Sequence, residues 1–597
     1  MSRVIVVGGG VGGLTAAHEL AERGFDVHVY EARDAWGGKA RSQYVAGTGT
    51  EGRQDLPGEH GFRFYPRFYR HVIDTMAKIP SPHGGVVADR LLACPDAAVA
   101  TIQSGAAARF TRHQTMNPGD VVSALQALFV EMGFDGADLG LFGLQIFRYL
   151  SSSDERRFGE YEGITWYDFL GGDGYSPACR QKLTDIPRML VAMDAKTGNA
   201  CTNGVISMQL LLDLAMTSQS SDRTMGGPTT EMWIGPWFDM LASLGVSFHG
   251  GDACVAIEVE GGRIARARFA SGATAGEPGD QFVLAVPLEA AVPLMNDQLA
   301  SLDPQCARLR TVDVRALVSW MAGIQFFLYE DVQVARGHLL FPDAPWALTA
   351  ISQPQFWRES LGPFSRAFGA GDVSGLLSVD ISEWNTPGTF VKKKAIDCTK
   401  EEVKEEVWRH LEAGLNGPAR DQQLLTDAML HSWHLDDDLD YSTGLPAVNR
   451  SGLLIHPPGS WASRPEAASA VPNLSFAADY VRTHTDLASM EAASEAGRRA
   501  TNAILDREHS PAPRAGVWNL TEPPLFGPWK VLDAELYRIG RPHVFDIAGI
   551  NQAFQAADFI RRFSAIAGVG RLDMILGQFK LASAFSGALT NFFFGRR

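Results

Sequence analysis

The stretch RVIVVGGGVGGLTAAHELAER, residues 3–23, restricts the fold more than any other part of this chain. Residues 3–7 read as a buried parallel strand. Residues 13–23 read as a helix with Leu14, Ala17 and Leu20 on one face, and residues 25–30 (FDVHVY) read as a second strand. Together they make a βαβ unit. Between strand and helix, Gly8, Gly10 and Gly13 complete G-x-G-x-x-G, with Gly12 inside the run. Gly8 permits the tight turn, Gly10 lets the backbone approach a pyrophosphate, and Gly13 lets helix and strand pack closely. The helix N-terminus adds unpaired N–H groups and positive potential. Glu31 closes the second strand, placed to accept hydrogen bonds from ribose hydroxyls. The pattern predicts an α/β fold that binds a dinucleotide.

Residues 31–41, EARDAWGGKAR, select FAD over NAD. After Glu31 and Ala32, Gly37-Gly38 forms a second turn of close backbone approach. Lys39 and Arg41 follow it, cations placed to neutralise a second phosphate region. Near the other end, the apolar strand Leu474–Ala477 runs into Asp479. A loop then leads to a helix at about 488–505 that opens with Ala488, Ser489, Met490 and Glu491. Its N-terminus is a second place for oxygen-rich groups.

Taken together, the two ends resemble the flavin amine oxidase and carotenoid desaturase superfamily, most closely plant-type phytoene and zeta-carotene desaturases and their bacterial relatives. The motifs are residues 8–13, 31–41, 59–64 and 478–493, with Gly227-Pro228-Thr229, Trp237 and Val283–Pro287 between them. The resemblance implies that Gly8, Gly10, Gly13 and Glu31 meet the pyrophosphate and adenosine ribose. It implies that Gly38, Lys39 and Arg41 form the second phosphate loop, and that Val255 holds adenine through its backbone. Asp479 would lie near the pyrophosphate and ribityl chain, and Met490 and the start of its helix at the flavin edge. The sequence departs from the family where Arg63 replaces a histidine and where Ala478 and Ala492 replace glycines.

The matching segment EHGFRFYPRFY, residues 59–69, lies beside the flavin in that family. Gly61 and Phe62 are then cofactor neighbours, and Arg63, His60 and Tyr65 are the candidate catalytic residues. Arg63 can stabilise negative charge on reduced flavin or pair structurally with Glu59. His60 can shuttle a proton or simply hold backbone. Aromatics at Trp233, Trp237, Phe326-Phe327, Phe356-Trp357, Trp384 and Trp433 can wall an apolar tunnel or form ordinary core. The His431–His434 and Asp436-Asp437-Asp438 spacing fits no metal site.

The expected architecture is an α/β, Rossmann-type FAD-binding domain assembled from residues 1–75, 225–300 and 450–505. A mixed α+β substrate domain comes from 76–224 and 301–449, and 506–597 form a linker and a basic, apolar C-terminal tail. The expected activity is dehydrogenation (desaturation) of an apolar, isoprenoid or polyene-like molecule with hydride transfer to FAD. An amine oxidase, a non-redox flavin isomerase or dehydroxylase, and a lipid-escort protein are the alternatives. A net charge of −15 argues against nucleic acid as a partner. Six scattered cysteines without C-x-x-C suit a reducing, cytoplasmic setting. No apolar run reaches membrane-spanning length. Residues 560–597, with Arg561, Arg562, Arg571, Lys580, Arg596 and Arg597 against Asp573, either dock on the enzyme's own body or a second subunit or lie on a membrane surface as a peripheral partner. A homo-oligomer stays open.

Overall fold

The computed structural model describes residues 2–103, 105–111, 135–215, 222–417 and 423–546. The sequence predicts a helix over Val121–Met132; that segment and the basic tail lie outside the described residues.

Five parallel strands form the first sheet, in the order Ser247–His249, Asp26–Tyr30, Arg3–Val7, Gln281–Leu284 and Leu474–Phe476. The sequence pieces 1–75, 225–300 and 450–505 thus meet in one sheet. Its central strands are apolar runs because helices cover them, and residues 4–7 and 281–284 are fully buried. The first helix is Val11–Ala21, two residues earlier than its periodicity suggests, because the glycine motif itself forms the opening turn. The apolar pattern of the sequence predicts a strand over Gln281–Val286; it stops at Leu284, since Pro287 caps the helix Leu288–Leu294. A three-stranded antiparallel sheet, Cys254–Glu260, Arg263–Phe269 and Thr274–Ala275, connects the Ser247–His249 strand to the Gln281–Leu284 strand.

A second, seven-stranded sheet runs Leu430–Leu435, Ala322–Leu328, Gly375–Ile381, Leu348–Ser352, Gly337–Phe341, Asp96–Thr101 and Gly105–Thr111. Leu377, Val379 and Ile381 alternate onto one face. The helix Lys400–Asn416, opened by a capping box of Thr399 and Glu402, covers that face, with Trp408 against Phe326 at 5.1 Å. Ser378 and Asp380 fall on the opposite face, toward residues 56–65. Where the apolar pattern of the sequence predicts one strand over Ala316–Phe327, the chain forms a turn of helix, Val314–Leu317, a bridge at Val318–Ser319 and the strand Ala322–Leu328. Asp313 caps the short helix by accepting from the Arg315 amide.

Helices within 136–215 form a third unit, and the chain after the last Rossmann helix returns to it. Residues 515–546 pack onto the body rather than hanging as a loose linker. Arg156 Nε donates to Asp533 at 2.8 Å, and Arg157 Nη1 donates to Glu522 at 2.6 Å. The prolines near 523–528 open the helix Gly527–Arg538, at positions where a missing N–H costs nothing. Among the described residues no helix is long and apolar enough to cross a membrane.

Candidate active site

Each glycine of the first motif meets a different constraint. Gly8 has φ +113°, and a Cβ there would lie 2.4 Å from the Ala285 oxygen. A Cβ on Gly12 would lie 1.9 Å from the Ala477 oxygen, and one on Gly13 would lie 1.9 Å from the Gly8 oxygen. Gly10 differs, because a Cβ there would meet only the Gly38 Cα, at 3.9 Å. Its free face is therefore a cradle of the kind a pyrophosphate needs. The close approach at Gly12 is matched by Gly497, whose Cβ would lie 2.5 Å from the Gly12 oxygen. These two glycines let the first turn of the helix Val11–Ala21 pack against residues 493–497 of the helix Met490–Arg507, which brings two positive helix ends near each other.

The second glycine loop seals against the first. The Gly37 amide donates to the Gly9 oxygen at 2.8 Å, and Gly38, at φ +58°, faces Gly10. Glu31 accepts from the Gly9 amide at 2.7 Å and the Arg33 amide at 3.1 Å, which orients the carboxylate at the strand end. Ala32 is exposed beside it. Lys39 Nζ donates to the Gly452 oxygen. Arg41 donates to the Gly38 oxygen and, together with Arg33, pairs with Asp438. Both cations are thus anchored, not loose at the surface. Val255 sits in a bulge of its ladder, which skips from Cys254 to Ala256, and it is 48% exposed. The skip leaves its backbone outside the regular pairing.

At the other end, Asp479 follows the strand Leu474–Phe476 and is half-buried. Ala488 is half-buried before the helix, Ser489 caps it by accepting from the Ala492 amide, and Met490 is its first residue. Glu491 does not add an acid to the cleft. It is buried, and it accepts from the amides of Arg70, His71 and Val72 and from His71 Nδ1. Asp486, at φ +45° and also buried, pairs with Arg464 and accepts from Thr202 Oγ1 at 2.7 Å. That network ties the loop before the helix to the helical unit.

Residues 59–65 cross between the two sheets. Gln325 Nε2 donates to the Glu59 oxygen at 3.0 Å. Glu59, buried, accepts from Ser42 Oγ and the Thr229 amide at 2.8 Å each, and its other oxygen lies 3.8 Å from Arg63. Arg63 is 13% exposed at its side chain and donates to the Lys39 oxygen, which places it against the second glycine loop. His60 Nδ1 pairs with Asp436, so its nearest role is structural. Gly61 leaves room for Asp380: a Cβ there would lie 2.8 Å from the carboxylate. The Phe62 amide donates to Asp380 at 3.3 Å. Phe62 and Phe64 flank the His338 ring at 5.4 and 4.9 Å, and Tyr65 packs edge-on against Trp233. Burial pushes the Asp380 carboxyl up to about 8 although Arg63 opposes this, and burial also raises Glu59. Glu59 Oε2, Arg63 Nε, Tyr65 Oη, Arg67 Nη1, Gln325 Oε1 and Trp233 Nε1 are buried without hydrogen-bond partners. Unpartnered polar atoms gathered along one short segment mark a surface built for something other than core packing.

Most of the aromatics proposed for a tunnel are core. Trp233 stacks on Trp237 at 5.7 Å, Trp384 is buried, and Phe356 and Trp357 cluster with Phe364 and Phe368. His60, Asp436 and Asp438 bring donor atoms within 4.8 Å of one another. Gln43, Ser451, Arg33 and Arg41 already engage the two carboxylates, and the two arginines oppose a further cation. Asp380 escaped the sequence reading, which also gave Asp436 and Asp486 no part in the site. The signal at Asp380 was a lone acid inside the apolar strand GLLSVDI.

Two facing glycine loops, two helix N-termini and a cradle at Gly10 fit FAD. A family model, flavin containing amine oxidoreductase, matches residues 11–505. The chain belongs to this flavin amine oxidoreductase family. It is an FAD-dependent oxidoreductase. Two curated proteins share short segments with it. Carotenoid phi-ring synthase of Chlorobaculum tepidum is 37% identical over 68 residues, 11% of this chain and 10% of that protein. The flavin-dependent L-tryptophan oxidase RebO of Lentzea aerocolonigenes is 36% identical over 77 residues, 13% of this chain and 15% of that protein. The matches thus span only a small part of those relatives. Among solved structures, cyclohexylamine oxidase from Brevibacterium oxydans superimposes with TM-score 0.54 at 17% identity, covering 85% of this chain and 99% of that one. Putrescine oxidase bound to putrescine gives TM-score 0.55 at 14% identity over the same shares. These likenesses establish the fold shared with flavin amine oxidoreductases.

Proposed function

We propose that this oxidoreductase dehydrogenates a neutral, apolar substrate of isoprenoid or polyene type. The observation that carries this reading is the charge state around residues 59–65. An ammonium substrate held by an ion pair needs an unpaired carboxylate. Here Glu59 faces Arg63, Asp436 is paired with His60, and Asp380 holds its proton at neutral pH. The half-buried side chains along the segment are instead Phe62 and Phe64, with the fully buried Tyr65 behind them. The short match to a carotenoid-modifying enzyme points the same way.

When bound, FAD supplies the two-electron acceptor. In this reading Gly8, Gly10, Gly12 and Gly13 form the pyrophosphate turn, Glu31 and Ala32 hold the adenosine ribose, and Val255 offers its backbone to adenine. Gly38, Lys39 and Arg41 support the second phosphate region. Asp479, Ala488, Ser489 and Met490 line the opposite wall, and Gly61 and Phe62 border the reacting end. Arg63 provides a fixed cation where negative charge develops, held in place by Lys39 and Glu59 so that no reorganisation is needed. Tyr65 and His60 complete the wall, with His60 oriented by Asp436. An apolar substrate has to come from a membrane, and the basic tail at 560–597 suits anionic lipid.

Anaerobic mixing tests the chemistry. A linear polyene or isoprenoid in micelles should bleach the bound flavin and yield a product two hydrogens poorer, whereas putrescine and cyclohexylamine should leave the flavin oxidised. Bleaching by the amines alone overturns the reading. Removing residues after 546, which spares the packed segment 515–546, should abolish sedimentation with anionic vesicles. Undiminished sedimentation removes the tail from the proposal.

A further inference from the structure

Asp380 belongs to the second sheet, yet it serves the first domain's segment. Strand alternation turns it away from the Trp408 core and under the Gly61–Phe62 turn. There it is 3% exposed, accepts the Phe62 amide and fills the space left by the missing Gly61 side chain. Its cross-strand neighbour is Gly323, whose missing side chain lets the Glu59 and His60 carbonyls approach. The charges acting on it are Arg63 and Glu59 from the crossing segment, and Asp436, which is paired with His60, from the chain after the strand Leu430–Leu435.

We propose that Asp380 is a positioning residue of the flavin site, holding the Gly61–Phe62 turn and, through one exchangeable proton, setting the net charge around Arg63. With the proton on, Arg63 and Glu59 balance each other. With the proton lost to solvent, the cluster carries one more negative charge in a dry site and disfavours the negative charge that FAD gains on reduction. Burial and the two neighbouring acids hold the proton on at neutral pH, and Arg63 pulls the other way, so the change falls near pH 8. The inference rests on residues 59–65 lying at the flavin.

The test is the midpoint potential of the bound flavin, measured by dye-coupled reduction from pH 6.5 to 9.5 without any substrate. Wild type should show an additional fall centred near pH 8 beyond the slope common to all variants. Asp380→Asn, isosteric and permanently neutral, should lack that fall. Arg63→Gln should move it to higher pH, because the cation that favours ionisation is gone. FAD affinity of the apoprotein, followed by flavin fluorescence across the same range, is the control: the oxidised ring is neutral, so its affinity should show no step of that size. If Arg63→Gln alters the potential while Asp380→Asn keeps the wild-type profile, the role of Asp380 is overturned. If neither variant alters it, residues 59–65 are not at the flavin and the functional reading itself fails. Should Asp380→Asn not fold, Gly61→Ala, which drives a Cβ against the carboxyl, must shift the step, and an unshifted step refutes the proposal.

Discussion

Glu491 offers the sharpest stability test. It is buried at the start of the helix Met490–Arg507, and it takes the amides of Arg70 at 2.6 Å, His71 at 2.8 Å and Val72 at 3.0 Å, with His71 Nδ1 at 2.7 Å. The Trp518 amide donates to His71 Nε2 at 2.9 Å, which fixes the neutral tautomer with its proton toward Glu491. Glu491→Gln keeps one acceptor oxygen but points an NH2 group at the Val72 amide. One bond is lost and a buried donor is left unpaired, at about 1–3 kcal/mol. Three bonds drop from charge-assisted to neutral strength, at about 0.5–1 kcal/mol each. The total is about 4 kcal/mol, roughly a thousandfold in the unfolding equilibrium. Urea denaturation should show this loss, and trypsin should cut faster after exposed Arg70 as the helix His71–Met76 comes unlatched. A change below about 1 kcal/mol with unaltered cleavage would refute the reasoning.

Three further outcomes are expected. Glu31→Ala should weaken FAD by about 1.5–3 kcal/mol, about ten- to 150-fold in Kd by fluorescence titration, and unchanged affinity would remove Glu31 from the ribose. Gly12→Ala drives a Cβ to within 1.9 Å of the Ala477 oxygen. It should therefore give a destabilised, colourless protein, and a normally yellow product would contradict the helix-to-strand contact. Burial beside Arg148 and Arg156 lowers His543 to about 3. The unfolded chain therefore binds its proton first, and stability falls as pH drops below about 6.5, by roughly 2–3 kcal/mol at pH 4.5. Limited proteolysis of residues 522–546 should accelerate on acidification in wild type but not in His543→Gln, and equal rates in both would discount His543.

Much of this molecule is local in origin, and those parts were legible. The strand Arg3–Val7, the glycine turn and the helix after it follow from residues adjacent in sequence. The apolar strands Gln281–Leu284 and Leu474–Phe476 announce burial on both faces by composition alone. The two glycine turns and the strand, loop and helix at the other end were visible too, because each half carries its own turn chemistry. Periodicity failed where a proline ended a strand early, as at Pro287, and where a cap opened a helix in place of a strand's start, as at Asp313.

The charges of the site were decided elsewhere. Nothing in residues 59–65 says that Arg63 meets a backbone oxygen of the second glycine loop, or that a carboxyl 318 positions beyond Phe62 accepts its amide under the Gly61 turn. Glu491 reads as an acid at a helix N-terminus, yet it serves another helix because the packing of Gly12 on Gly497 turns its face that way. Side-chain periodicity assigns a residue to a face but not to the neighbour that face will meet. Burial, the pairing of Glu59 and the proton on Asp380 depend on which chains arrive from the second sheet, and only the assembled tertiary structure brings them there.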